Sequence, residues 1–104
     1  MNTDKDFLVK LGLNIKKYRL LFNISQVELA NRIGMDKQNL WTIEKGKSNP
    51  QIITLVKIAG GLGITLPILL GFDFEYSSFP EKSPIYQARK HKKPFYKIIE
   101  RGFK

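Results

Sequence analysis

Residues 24–50, ISQVELANRIGMDKQNLWTIEKGKSNP, restrict the fold more than any other stretch, because they spell two capped amphipathic helices joined by a turn of only a few residues. The first opens with a capping box. Ser25 can accept from the backbone N–H of Glu28 while Glu28 reaches back, and Ile24 can staple onto Leu29. Val27, Leu29, Ala30 and Ile33 supply its apolar side, and Gly34 offers the positive φ by which a chain leaves a helix. The second repeats the grammar, with Asp36 as N-cap, Met35 placed to staple onto Leu40, and Leu40 and Ile43 directed inward. It ends near Lys45, at Gly46.

Helices are expected on both sides of this pair. Upstream, Leu8, Leu11, Ile15, Tyr18 and Phe22 recur at spacings of 3 and 4, one stripe of a helix over about residues 4–22. Downstream, Asn49 and Pro50 open a fourth helix with Ile52, Leu55, Val56, Ala59 and Leu62 on one face. Thr65 caps a short fifth, where Ile64 and Leu69 make another staple. Gly60 and Gly61 sit late in the fourth helix, where each costs roughly 0.8–1 kcal/mol against Ala; either that end frays or another element packs closely there. From residue 73 onward the pattern changes to three prolines, many aromatics and no sustained period, so the domain boundary falls near Phe72. Residues 1–72 form one domain, and residues 73–104 a C-terminal extension.

With 18 Lys and Arg against 9 Asp and Glu, the formal charge is +9, which draws the protein to polyanions. The surplus divides into +5 over residues 1–72 and +4 over residues 73–104. Cysteine is absent, which excludes disulfides, thiolate zinc sites and cysteine nucleophiles. The N-terminal MNTDKDF has neither the basic start nor the apolar core of a signal peptide, and no lipidation motif appears, so the expected location is the cytoplasm. The uncharged run at residues 58–72 is shorter than the ~20 residues that span a bilayer and is broken by glycines and Pro67, so no membrane role is expected for it.

Two capped helices across a short turn are a helix-turn-helix signal, in which the second helix needs an inward face that sets its angle and an outward face that reaches base edges. Lys37 can donate to guanine, Gln38 and Asn39 can pair bidentately with adenine, and Thr42 can touch a thymine methyl or a phosphate. Residues 11–71 resemble the Cro and phage-repressor type of helix-turn-helix domain, the XRE family, through SQVELANRIG, NLWTIEKGKSNP and LVKIAGGLGIT in that order. The resemblance implies an all-α, compact five-helix DNA-binding domain here followed by a basic, aromatic extension. It implies phosphate contacts by Gln26, at the head of the second helix, and by Lys45 and Lys47 in the loop after the third. Base reading falls to Lys37, Gln38, Asn39 and Thr42, and a bridge from Arg19 to Glu44 fixes the third helix. The implied function is a sequence-specific transcriptional regulator of the repressor kind, a homodimer on a pseudo-palindromic site in double-stranded DNA. The alternative is an antitoxin-type protein-interaction module with autoregulatory DNA binding.

Three positions depart from the family pattern: Gly60 and Gly61 stand where helix formers are usual, and Trp41 where a small polar residue is commoner. Trp41 follows Leu40 and cannot share its inward direction fully, which leaves it partly exposed, against sugar or the fourth helix. Lys47 and Ser48 after Gly46 mimic the end of a P-loop, but Trp41 occupies the required upstream glycine position. His91 lies among like charges, and no paired carboxylates or nucleophile motif stands out, so neither a metal, a cofactor nor catalysis is expected. The extension, with its basic cluster at residues 89–93, is open between two readings: added non-specific DNA affinity, or a segment that orders on dimerisation or on a protein partner.

Overall fold

A computed structural model describes residues 3–74, which fold into five helices: α1 (Thr3–Leu21), α2 (Gln26–Arg32), α3 (Lys37–Glu44), α4 (Ile52–Leu62) and α5 (Leu66–Leu69). No strand occurs among the described residues. The expectations for the extension, its basic cluster and its partners included, lie outside the described residues. Phe74 still belongs to the packed unit. Its ring stands 5.1 Å from that of Phe7, Phe72 stands 5.2 Å from Phe7, and Lys10 Nζ donates to Asp73 O at 2.9 Å.

The helices end by a shared device. After α1, α2, α3 and α4 the chain turns at Asn23, Gly34, Gly46 and Gly63, all at positive φ. At each, one amide bonds back three residues and the next bonds back five, as in Gly46 N to Ile43 O and Lys47 N to Thr42 O, both 3.0 Å. These paired bonds are the Schellman pattern, which satisfies carbonyls left over at a helix end. The starts are capped by Ser25, whose Oγ accepts from Glu28 N at 3.0 Å, and by Thr65, which accepts from Ile68 N at 3.4 Å. Asp36 caps α3 with a long 3.5 Å contact to Gln38 N.

Helices of seven and eight residues are not stable alone, so α2 and α3 depend on burial. Leu29 and Leu40 are fully buried among Leu11, Ile15, Ile58 and Leu69, each contributing about 2–3 kcal/mol. A polar bond ties α1 to α5: Asn14 Nδ2, buried on α1, donates to the carbonyl of Leu69 at the end of α5.

The structure corrects several expectations. Only half of the capping box forms, because the Glu28 carboxylate accepts from Arg32 one turn on, at 2.7 Å. Phe22 is exposed because α1 stops at Leu21, one residue short of the stripe. Val27 is exposed too, since the inward side of α2 is the row of Leu29, Ala30 and Ile33. The fourth helix begins at Ile52, after an extended Gln51, two residues later than expected. Its buried face is Leu55, Ile58, Ala59 and Leu62, while Ile52 and Val56 face outward. A segment apolar nearly all round carries no periodic signal to choose its face.

Close approach explains one glycine of the fourth helix. A Cβ on Gly61 would fall 2.7 Å from Ile33 Cγ2 and 2.8 Å from Leu29 Cδ1, and Arg32 Nη1 donates to its carbonyl at 2.9 Å. Gly60, in contrast, faces open space.

Candidate nucleic-acid interface

The outward face of α3 is what a helix of this sequence must leave uncovered. Leu40, Ile43 and Glu44 are buried, and at 100° per residue the opposite side carries Gln38, Thr42 and Lys45. Lys37, Gln38 and Asn39 are exposed at its first turn, as expected, and Thr42 is half-buried. Thr42 Oγ1 donates to Gln38 O at 2.8 Å. Its hydrogen is therefore engaged, and what it presents outward is a methyl group and acceptor lone pairs.

The angle of α3 is set from α1. Arg19 and Glu44, 7% and 5% exposed, form a bidentate pair: Arg19 Nε to Glu44 Oε2 at 2.7 Å and Nη2 to Oε1 at 3.0 Å. The third guanidinium nitrogen, Nη1, donates to Ile24 O at 3.0 Å, so the same side chain clasps the loop entering α2. Such a planar fork holds both distance and orientation. Gly12 lets the helices come this close. A Cβ there would collide with Glu44 O and stand 2.6 Å from Ile43 O. Gly46 does the same on the next turn, where a Cβ would lie 2.7 Å from Val9 Cα.

Gln26, expected at a phosphate, makes a bond the sequence reading missed: its Nε2 donates to Glu44 Oε1 at 3.0 Å. Gln26 lies three, four and seven residues before Leu29, Ala30 and Ile33, so it heads their inward row. That register shows that the amide faces inward, while the partner it meets there is set by packing. The amide is half-buried, and one N–H remains for an outside acceptor. Arg19, Gln26 and Glu44 thus become one network at the junction of three helices.

Lys45 and Lys47 are exposed, and both ammonium groups stand over the indole of Trp41, at 5.7 and 5.2 Å from its centroid. Trp41 is half-buried and faces α1, lining a cleft with Val9 and Leu13 of that helix. Two cations are thereby gathered at the C-terminal end of α3 by a ring, at about 0.5–1 kcal/mol each. No group of acidic, histidine or cysteine side chains able to hold a metal occurs among the described residues. No described helix is long and apolar enough to cross a membrane.

The chain is similar to known proteins. Residues 15–69 match the family model HTH_3, described as helix-turn-helix. The control protein C.MunI of a Mycoplasma species is 39% identical over 62 residues, covering 59% of this chain and 84% of that protein. The immunity repressor protein of Bacillus phage phi105 is 30% identical over 82 residues, covering 79% of this chain and 55% of the repressor. Among solved structures, the restriction-modification controller protein C.AhdI from Aeromonas hydrophila superimposes with a TM-score of 0.59 at 31% identity, over 60% of this chain and 94% of its own.

Proposed function

Because the chain belongs to the HTH_3 helix-turn-helix family, a family of transcription regulators and not of enzymes, we propose that it is a sequence-specific repressor that reads the major groove of double-stranded DNA with α3. The observation that carries this reading is the Arg19–Glu44–Gln26 network, which holds a short polar helix at one angle with its exposed first turn outward. A helix that reads bases needs a fixed approach, since bidentate pairing tolerates little tilt.

The division of labour follows from position. Lys37, Gln38, Asn39 and Thr42 meet base edges; Gln26, Lys45 and Lys47 meet phosphates and set the register. Gln26 reaches a phosphate through the N–H that Glu44 does not take. The protein acts as a homodimer in the cytoplasm, with two copies of α3 about 34 Å apart on a pseudo-palindrome. Ile52, Ile53 and Val56, neighbours on the outer side of α4 and each about half exposed or more, supply apolar surface for the second copy. The reading domain is residues 1–72, and residues 73–104 are a basic extension that adds to affinity or carries partner contacts.

Selection from a random duplex library tests this directly. A palindromic motif is expected, and failure to enrich any sequence overturns the reading. On the selected duplex, Gln38→Ala should relax preference at one base position, at about 1–3 kcal/mol. Lys47→Ala should weaken binding to all sequences alike and flatten the salt dependence. If both variants gave the same uniform loss, the assignment of bases to α3 and phosphates to the loop would be wrong.

A further inference from the structure

One surface beside α3 remains without a task. Between α1 and the C-terminal half of α3 lies a cleft of about 310 Å³, walled by Leu13 and Lys16 on one side and Trp41 and Lys45 on the other, with Gln26 at its edge. Its charge is one-sided. Lys16 is exposed and has no ion-pair or hydrogen-bond partner among the described residues, and Lys45 and Lys47 have no carboxylate partner among them. The carboxylate that lines the cleft, Glu44, is 5% exposed and already bonded by Arg19 and Gln26, so it does not oppose an incoming anion. Apolar surface is present beside the cations, because Leu13 is 58% exposed despite its place on a packed helix, and the Trp41 ring is half open.

We propose that this cleft holds a deoxyribose-phosphate unit of the DNA backbone flanking the bases under α3, with Lys16 and Lys45 on the phosphate and Leu13 and Trp41 against the sugar. The inference rests on the DNA-reading role of α3 and extends its footprint onto α1. Ammonium groups beside exposed apolar side chains in one cleft match the pairing of charge and hydrocarbon in a sugar-phosphate unit. A bulky ring at position 41 is what closes the cleft on the α3 side. Lys16 acts as a point charge and specifies no base.

The test uses the full chain, the selected duplex and an unrelated duplex. Lys16→Gln should lower affinity for both duplexes by the same factor and reduce the slope of log K against log salt by about 0.9, one phosphate's worth. The wild-type advantage should therefore shrink about 3.5-fold between 50 and 200 mM salt. Lys57→Gln, an exposed lysine on α4 away from α3, is the comparison for net charge. Trp41 is the only tryptophan, so its fluorescence reports the cleft; quenching by iodide should fall when duplex saturates the protein. An unchanged slope in Lys16→Gln, an equal change in Lys57→Gln, or undiminished quenching overturns the assignment of the cleft while the DNA-reading role stands. Absence of duplex binding by the wild type overturns both, and is recognised because no variant then differs from it.

Discussion

Replacing Glu44 by Ala removes the acceptor for three donated bonds at once, from Arg19 Nε at 2.7 Å and from Arg19 Nη2 and Gln26 Nε2 at 3.0 Å. Arg19 stays charged and only 7% exposed, with Ile24 O its one remaining partner. Breaking a buried pair on one side costs about 3–5 kcal/mol, most of it the stranded charge. At about 0.05–0.15 kcal/mol per residue, a domain of this size has only about 4–11 kcal/mol in all. With about 4–8 °C per kcal/mol at this length, Tm should fall by at least about 12 °C. Thermal unfolding followed by far-ultraviolet circular dichroism reads this directly. Joint replacement, Arg19→Met with Glu44→Leu, should recover most of the loss, since an apolar pair of similar volume leaves no buried charge. A fall in Glu44→Ala no larger than the roughly 4–8 °C of an exposed pair would refute the claim that the network is desolvated and holds α3.

Gly12→Ala gains about 1 kcal/mol of helix propensity but places a methyl against backbone carbonyls of Ile43 and Glu44 that no rotamer change can move. The expected net result is a loss of up to about 2 kcal/mol, with weaker DNA binding as α3 is pushed from α1; a rise in Tm would contradict the close approach. Gly60→Ala should stabilise by up to about 1 kcal/mol, because it meets nothing within 4 Å. Gly61→Ala should not, because its methyl would crowd Leu29 and Ile33. Equal gains in Tm from the two would show that α2 does not press on α4 as described.

Much of this arrangement is legible in local chemistry. Ser25, Asp36 and Thr65 announce helix starts because a short oxygen-bearing side chain reaches amides that the helix leaves unbonded, and Gly34 and Gly46 announce ends because the turn needs positive φ. Leu29, Leu40 and Ile43 declare their burial by spacing. Faces fail where spacing has nothing to separate: in IITLVKIAGGL almost every residue is apolar, so Ile52 and Val56 read as core and are exposed. Phe22 and Val27 fail because one residue past a helix end, or one step off the inward row, changes a side chain's direction wholly.

Long-range contacts are the other boundary. That α3 exists, where it starts, and that Lys37, Gln38, Asn39 and Lys45 are exposed follow from residues within a turn or two of each other. That Gln26 also binds Glu44, that Gly12 admits the backbone of α3, and that Trp41 gathers Lys45 and Lys47 beside Lys16 depend on residues up to thirty-two positions apart. Caps and periodicity act over one or two turns of backbone and are written in neighbouring letters. The angle of α3 and the cleft beside it arise from how side chains of separate helices interlock, which only packing in three dimensions decides.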